Sequence, residues 1–166
     1  QAGIITDNNF NNARILKVDP TRILSLQKLG KIPVVCGFQG ISVDHEFTTL
    51  GRGGSDTTAA ALGAALDADM IEIYTDVDGI MTADPRMVTT AKILDCISYG
   101  EVCQLAHQGA KVIHPRAVEI AMQKNIPLVV KSTFSNAVGT LITNITQETS
   151  AETSVNDRIA TGVTSI

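Results

Sequence analysis

The chain has 166 residues, a size that suits one domain with a substantial hydrophobic core. Apolar residues make up 44% of it and aromatic residues only 4%, so we expect a mainly aliphatic core. The net charge is −4 and no basic stripe is visible, which argues against nucleic acid as a partner. No apolar run approaches the ~20 residues of a membrane span and no secretion signal is visible, so we expect a cytoplasmic protein without a membrane partner.

The first third of the chain contains one helix pattern and several strand patterns. Residues 1–12 show no convincing element, whereas residues 14–18 predict a short strand. Asp19-Pro20 is typical of a helix start, and Gly30 is typical of a helix end. Residues 42–49 alternate well enough to predict a hairpin with a polar tip.

Strands and helices alternate along the rest of the chain. Helices are predicted from about Ser55 to Asp67, over 97–108 and over 115–124, and a short final strand is predicted over 139–143. Three apolar runs predict strands buried on both faces: residues 32–37, 70–74 and 126–131. This alternation predicts an α/β fold, with a mostly parallel sheet and helices on both faces.

The three cysteines predict neither a disulfide framework nor a zinc site. Cys36, Cys96 and Cys103 are odd in number, and no two of them have the C-x-x-C spacing. Their apolar neighbours predict buried, reduced thiols.

The most informative stretch is a glycine loop, residues 51–56, which leads into a helix. Its three glycines allow backbone conformations closed to other residues, and the free N–H groups of the helix start attract anions. Arg52 adds a planar fork that suits a carboxylate or phosphate, and Ser55 or Asp56 is expected to cap the helix. The alternative is a tight strand-to-helix turn with a surface arginine.

A second polar loop, residues 75–86, follows the strand at 70–74. In such sheets ligands bind beyond the carboxyl ends of strands, where both loops are expected. Its acids either coordinate Mg²⁺ carried by a nucleotide or only cap turns. Farther along, Lys111 either meets phosphate in a cleft or is solvated, and His114 is expected to be structural.

Together these motifs resemble the aspartokinases of the amino-acid kinase family. The glycine loop with its flanks, Thr48 to Ala59, carries the most specific part of the resemblance. The 75–86 loop is less specific, because glutamate 5-kinases and uridylate kinases have similar loops. Three further segments match in the same order: residues 37–40, 109–115 and 139–142.

The resemblance implies that ATP, with Mg²⁺, gives its γ-phosphate to the β-carboxylate of L-aspartate. It implies an amino-acid kinase-like three-layer sandwich, no protein-bound metal, and a homo-oligomer in the complete enzyme. The implied catalytic residues are Asp56, which would organise lysines, and Lys111, which would neutralise charge on the phosphate. The aspartate site would contain Phe38, Arg52, Gly53, Gly54, Ser55 and Asp56. The ATP site would contain Thr75, Asp76, Met81, Thr82, Ala83, Asp84, Pro85, Arg86, Lys111 and Val112.

The chain also departs from the aspartokinase pattern. It lacks the Lys-Phe/Tyr-Gly-Gly loop and the early Ser/Thr and Glu of that family. We therefore expect residues 1–146 to be a partial catalytic domain, inactive alone, and residues 147–166 to be a linker toward regulatory ACT domains. The alternatives are another amino-acid kinase, such as a glutamate 5-kinase, or a non-catalytic nucleotide-binding module. A dinucleotide-binding oxidoreductase is disfavoured because no GxGxxG pattern is present.

Overall fold

A computed structural model describes residues 2–110, 112–144 and 162–163 of the chain. The strands are β1 (Ile4–Thr6), β2 (Ile15–Val18), β3 (Gln39–Ser42), β4 (Phe47–Thr49), β5 (Ile71–Thr75), β6 (Cys96–Ser98), β7 (Leu128–Ser132) and β8 (Thr140–Thr143). The helices are α1 (Thr21–Lys28), α2 (Gly54–Ala65), α3 (Tyr99–His107) and α4 (Pro115–Lys124).

The first sheet has the strand order β2-β1-β3-β4. Strand β1 pairs antiparallel with β2 and parallel with β3, and β3 and β4 form an antiparallel hairpin. A buried hydrogen bond of 2.7 Å joins the hydroxyls of Thr6 and Thr48 across this sheet. The glycine loop therefore begins almost directly after β4, at the edge of this sheet.

The second sheet has the order β5-β7-β8-β6 and carries the main core. Strands β5 and β7 are parallel, with Thr75 opposite Ser132, and the N–H of Thr133 donates to the carbonyl of Thr75 at 2.8 Å. Strand β8 is antiparallel to β7 and parallel to β6. The 75–86 loop therefore starts beside the end of β7, at the carboxyl edge of two parallel strands.

Helix α2 connects the two sheets and aims its first turn toward that same edge. A Cβ on Gly63, near the end of α2, would lie 2.5 Å from Cδ1 of Ile71, at the start of β5. The end of the helix thus lies at the start of the strand, so the helix runs back along β5. Twelve helical residues span about 18 Å, close to the length of a five-residue strand.

Several predictions of secondary structure are confirmed. The α/β class is confirmed, α4 begins and ends where the sequence predicts, and the 42–49 hairpin forms with His45 at a left-handed φ of 66° in its turn. The strands lie in two mixed sheets, because several neighbours are joined by short antiparallel connections instead of helical crossovers.

Four other predictions about the helices and strands are wrong. The segment 1–12 contains strand β1, and the start of the predicted helix over 97–108 belongs to β6. Residues 32–37 form no strand, and Ile32 and Val34 are 92% and 96% exposed. An apolar run becomes a buried strand only where neighbouring strands satisfy its N–H and C=O groups, and within the described residues none lies beside this run. Strand β5 is buried on one face, with Tyr74 exposed on the other.

Other predictions meet mixed outcomes. Cys36 is exposed, and Cys96 and Cys103 are half-buried, so the prediction of buried thiols is wrong for Cys36. Partial burial raises the pKa of the Cys96 and Cys103 thiols. Across the described ranges, no helix has both the length and the apolar character needed to cross a bilayer. Nearly all of the predicted linker, 147–166, lies outside the described residues.

Candidate active site

The glycine loop has a backbone shape that only its glycines permit. Gly51 and Gly53 have left-handed φ values of 73° and 69°, and Gly54 begins α2. A Cβ on Gly53 would lie 2.1 Å from Cγ of His114, and one on Gly54 would lie 2.5 Å from Cδ2 of Phe38. The glycines therefore provide both the turn and the close approach of two rings to the backbone.

The side chains and N–H groups that the loop presents suit an anion. Arg52 and Ser55 are exposed, and Arg52 forms no hydrogen bond or ion pair with any described residue. The N–H groups of Ser55 and Asp56 belong to the first turn of α2, where a helix offers no backbone acceptor of its own. A guanidinium fork beside such N–H groups favours a carboxylate or phosphate.

The predicted cap of α2 is wrong in its detail. The N-cap is Gly53, and no side chain caps the helix. Asp56 instead lies in the first turn, and its Oδ2 accepts a hydrogen bond of 3.1 Å from the N–H of His114. Its carboxylate therefore joins the start of α2 to the segment that leads into α4.

Phe38, which the sequence places in the predicted aspartate site, lies against Gly54 of the glycine loop. Its φ is 72°, an uncommon value for a bulky residue, and the residue is 43% exposed. Its N–H donates to Oγ1 of Thr58 at 3.0 Å, and its carbonyl accepts from the N–H of Leu50 at 3.0 Å. These bonds hold an unfavourable backbone conformation and leave part of the ring available for contact.

The middle of the 75–86 loop is held on the second sheet by buried hydrogen bonds. Oγ1 of Thr140, which is fully buried, accepts from the N–H of Ile80 at 2.8 Å. A Cβ on Gly79 would lie 2.6 Å from that same oxygen, so the loop backbone runs directly over it. Thr140 lies in the matching segment 139–142, but its bond to Ile80 was not predicted, because nothing in the local pattern indicates a partner sixty residues away.

The polar groups of the 75–86 loop are partly engaged with one another. Oγ1 of Thr75 donates to Asp76 at 3.1 Å, and Asp76 is exposed. Arg86 makes a two-pronged contact with Asp84, with distances of 2.7 and 3.0 Å. Those hydrogen bonds lower the pKa of Asp84 to about 2, so this carboxylate stays ionised through the neutral range. A phosphate at Arg86 would have to share its guanidinium with Asp84.

The described site residues that the sequence predicts fall mainly in two loops, one at the start of α2 and one after β5. Residues 38 and 51–56 meet at the start of α2, and the 75–86 loop follows the strand along which α2 runs back. Met81, Thr82, Ala83 and Asp84 are half-buried, whereas Pro85 and Arg86 are exposed. Lys111 lies outside the described residues, but Val112 is half-buried against the core and His114 contacts Asp56.

The sequence predicts a structural role for His114 without saying which one. Its Nδ1 accepts from the N–H of Arg116 at 3.3 Å and so caps α4. Burial, together with the charge of Arg116, lowers the pKa of His114, which favours the neutral ring that this cap requires.

The chain is similar to known aspartokinases in sequence and in fold. The chain is 52% identical to aspartokinase 1 of Bacillus subtilis (strain 168) over 163 residues, which are 98% of this chain and 40% of that protein. It is similar to the crystal structure of E. coli aspartokinase III in complex with aspartate and ADP (R-state), with a TM-score of 0.76 and 39% identity, covering 88% of this chain and 34% of that one. A structure of aspartate kinase from Synechocystis matches with a TM-score of 0.72 and 48% identity, covering 87% and 23%. The chain thus spans about 40% of the length of B. subtilis aspartokinase 1. The model of the amino acid kinase family matches residues 1–132, and the chain belongs to that family.

Proposed function

We propose that this chain is part of an aspartokinase, in which the glycine loop binds L-aspartate and the 75–86 loop binds ATP. The observation that carries the proposal is the exposed Arg52 between two left-handed glycines at the start of α2. Similarity to E. coli aspartokinase III, whose structure contains aspartate and ADP, supports this pairing of ligands.

In the proposed reaction, an oxygen of the aspartate β-carboxylate attacks the γ-phosphorus of ATP, and ADP leaves. The product is 4-phospho-L-aspartate. Because an ionised carboxylate is already a nucleophile, no general base is needed, and catalysis depends on positioning and charge stabilisation. Arg52 would hold a carboxylate of aspartate, and Lys111 would stabilise charge on the transferring phosphate.

Asp56 would act through the chain that leads to Lys111. Its contact with the N–H of His114 restrains a backbone position three residues after Lys111. This contact supports the proposal that Asp56 organises the lysine, by ordering the segment instead of only pairing with the ammonium group.

Mg²⁺ would enter with the nucleotide. Asp76 offers an exposed carboxylate at the carboxyl end of β5, and Thr75 bonds to it. Such a site fits an ion that keeps several waters and is bound by one carboxylate together with phosphate oxygens. Asp84 is less available, because Arg86 already donates to Oδ1 and to Oδ2 of its carboxylate.

Binding by the 166-residue chain tests the ligands without requiring turnover. Calorimetric titrations with L-aspartate, L-glutamate and ADP·Mg²⁺ should show aspartate binding that glutamate does not match. Arg52→Ala should weaken aspartate binding and spare ADP, whereas Arg22→Ala, at an exposed arginine on α1, should change neither. Preference for glutamate would favour a glutamate 5-kinase, and ADP binding without any amino acid would favour a nucleotide-binding module.

The proposal also covers the cellular location, the oligomeric state and the domain arrangement of the complete protein. We place the activity in the cytoplasm and in a homo-oligomer, as the resemblance implies. We further propose that residues 1–146 are part of the catalytic domain and that residues 147–166 lead toward regulatory ACT domains. Size-exclusion chromatography of the complete protein tests the homo-oligomer. Kinase assays with added end-product amino acids test for a regulatory domain.

A further inference from the structure

We propose that His114 and Arg116, in and beside the first turn of α4, are positioning residues that hold the glycine loop in its ligand-binding shape. The inference rests on the proposed function only for the identity of the ligand, L-aspartate. That His114 and Arg116 restrain the loop is inferred from their contacts within the described residues.

His114 contacts the loop at its middle and at its end. The ring lies against the backbone of Gly53, where even a Cβ would be only 2.1 Å from Cγ and 2.3 Å from Cδ2 of the imidazole. The N–H of the same residue donates to Oδ2 of Asp56 at 3.1 Å. The N-cap residue of α4 therefore restrains two positions of the loop, three residues apart.

Arg116 contacts the chain just before the loop. Its Nη1 donates to the carbonyl of Leu50 at 3.1 Å. Leu50 is fully buried, and its N–H donates to the carbonyl of Phe38. The bond therefore connects α4 to Leu50, the residue just before the glycine loop. Through Leu50 it also reaches the backbone of Phe38, whose ring lies against Gly54.

Together the contacts fall at residues 50, 53 and 56, and the two longer side chains between them, Arg52 and Ser55, stay at the surface. Arg52 and Ser55 are exposed, while the backbone on either side of them is restrained. A loop with three glycines has much conformational entropy to lose when a ligand orders it. Contacts made before the ligand arrives remove part of that loss, which strengthens binding.

Helix capping alone does not explain the imidazole. The cap needs only an acceptor at the position of Nδ1, and asparagine, a favourable N-cap residue, offers Oδ1 there. The ring adds the contact with Gly53, which capping does not require. His114→Asn therefore separates the two properties, because it keeps an acceptor and removes the ring.

The test compares three variants of the 166-residue chain: His114→Asn, Arg116→Gln and, as a control, Lys124→Gln, at an exposed position at the opposite end of α4. Each is measured by ¹H–¹⁵N NMR without ligand, by thermal melting, and by titration with L-aspartate and with ADP·Mg²⁺. We expect the first two variants to shift or broaden the amide signals of Gly51, Gly53 and Ser55. They should weaken aspartate binding about tenfold, the order expected when one preorganising contact is lost, with ADP affinity within about twofold of wild type. The control should match wild type.

Two results would overturn the positioning role. The first is unchanged loop signals in both variants. The second is an equal loss of aspartate and ADP affinity together with a large fall in melting temperature, which would indicate general destabilisation. A wild-type chain that binds no aspartate would contradict the proposed function, whereas the ligand-free NMR signals would still decide whether His114 and Arg116 hold the loop.

Discussion

Gly53→Ala should destabilise the protein far more than its left-handed backbone alone explains. Forcing an L-residue to a positive φ costs about 1–2 kcal/mol. The added methyl would also lie 2.1 Å from Cγ of His114, so the ring must move, and overpacking of this kind costs about 1–3 kcal/mol. We therefore expect a loss of about 2–5 kcal/mol in the free energy of unfolding, measured by urea denaturation.

Gly30→Ala is a matched control for this substitution. Gly30 has a φ of 70°, and a Cβ there would meet nothing within 4 Å. The control therefore carries the same backbone cost and the same change in unfolded-chain entropy without the clash. Adding His114→Ala to Gly53→Ala should recover the part of the loss that comes from the ring, and a double-mutant cycle measures that part. Equal losses for Gly53→Ala and Gly30→Ala would refute the claim that His114 confines the loop.

Four further predictions concern the two loops. In the complete enzyme, Arg52→Ala should raise the KM for aspartate far more than that for ATP, and equal effects would assign Arg52 to the nucleotide. Lys111→Ala should lower kcat with little change in KM, and an unchanged kcat would remove it from catalysis. Thr140→Val should leave the N–H of Ile80 without its buried acceptor. We expect this change to lower the free energy of unfolding by about 1–3 kcal/mol and to weaken ADP binding. An unchanged midpoint of urea denaturation would contradict this. Because the pKa of His114 is lowered in the folded state, its stabilising effect should be complete above its ordinary value of 6.5 and decline as the pH falls below it. The difference in unfolding free energy between wild type and His114→Asn, followed from pH 8 to pH 5, measures this decline, and a flat difference would contradict it.

The local sequence was enough to predict the turn in the glycine loop. Glycine is the residue that takes positive φ without strain, so Gly51 and Gly53 specified a turn before any partner was known. Helix α4 was equally predictable, because proline at its first position and lysine in its last turn are signals carried by neighbouring residues. The exposed Arg52 was predictable as a candidate ligand for the same reason: its function depends on groups close to it in the chain.

Tertiary structure decided the features that depend on distant partners. The run 32–37 has the composition of a buried strand, but strand formation needs hydrogen-bonding neighbours, and no described strand lies beside it. Asp56 is a residue type that often caps helices, yet its carboxylate accepts a hydrogen bond from the backbone N–H of His114, fifty-eight residues later. The meeting of Gly53, Asp56 and His114 depends on how α2 packs against α4. A side chain's type and place in the sequence therefore determine what it can bind, whereas the packing of the helices determines what it does bind.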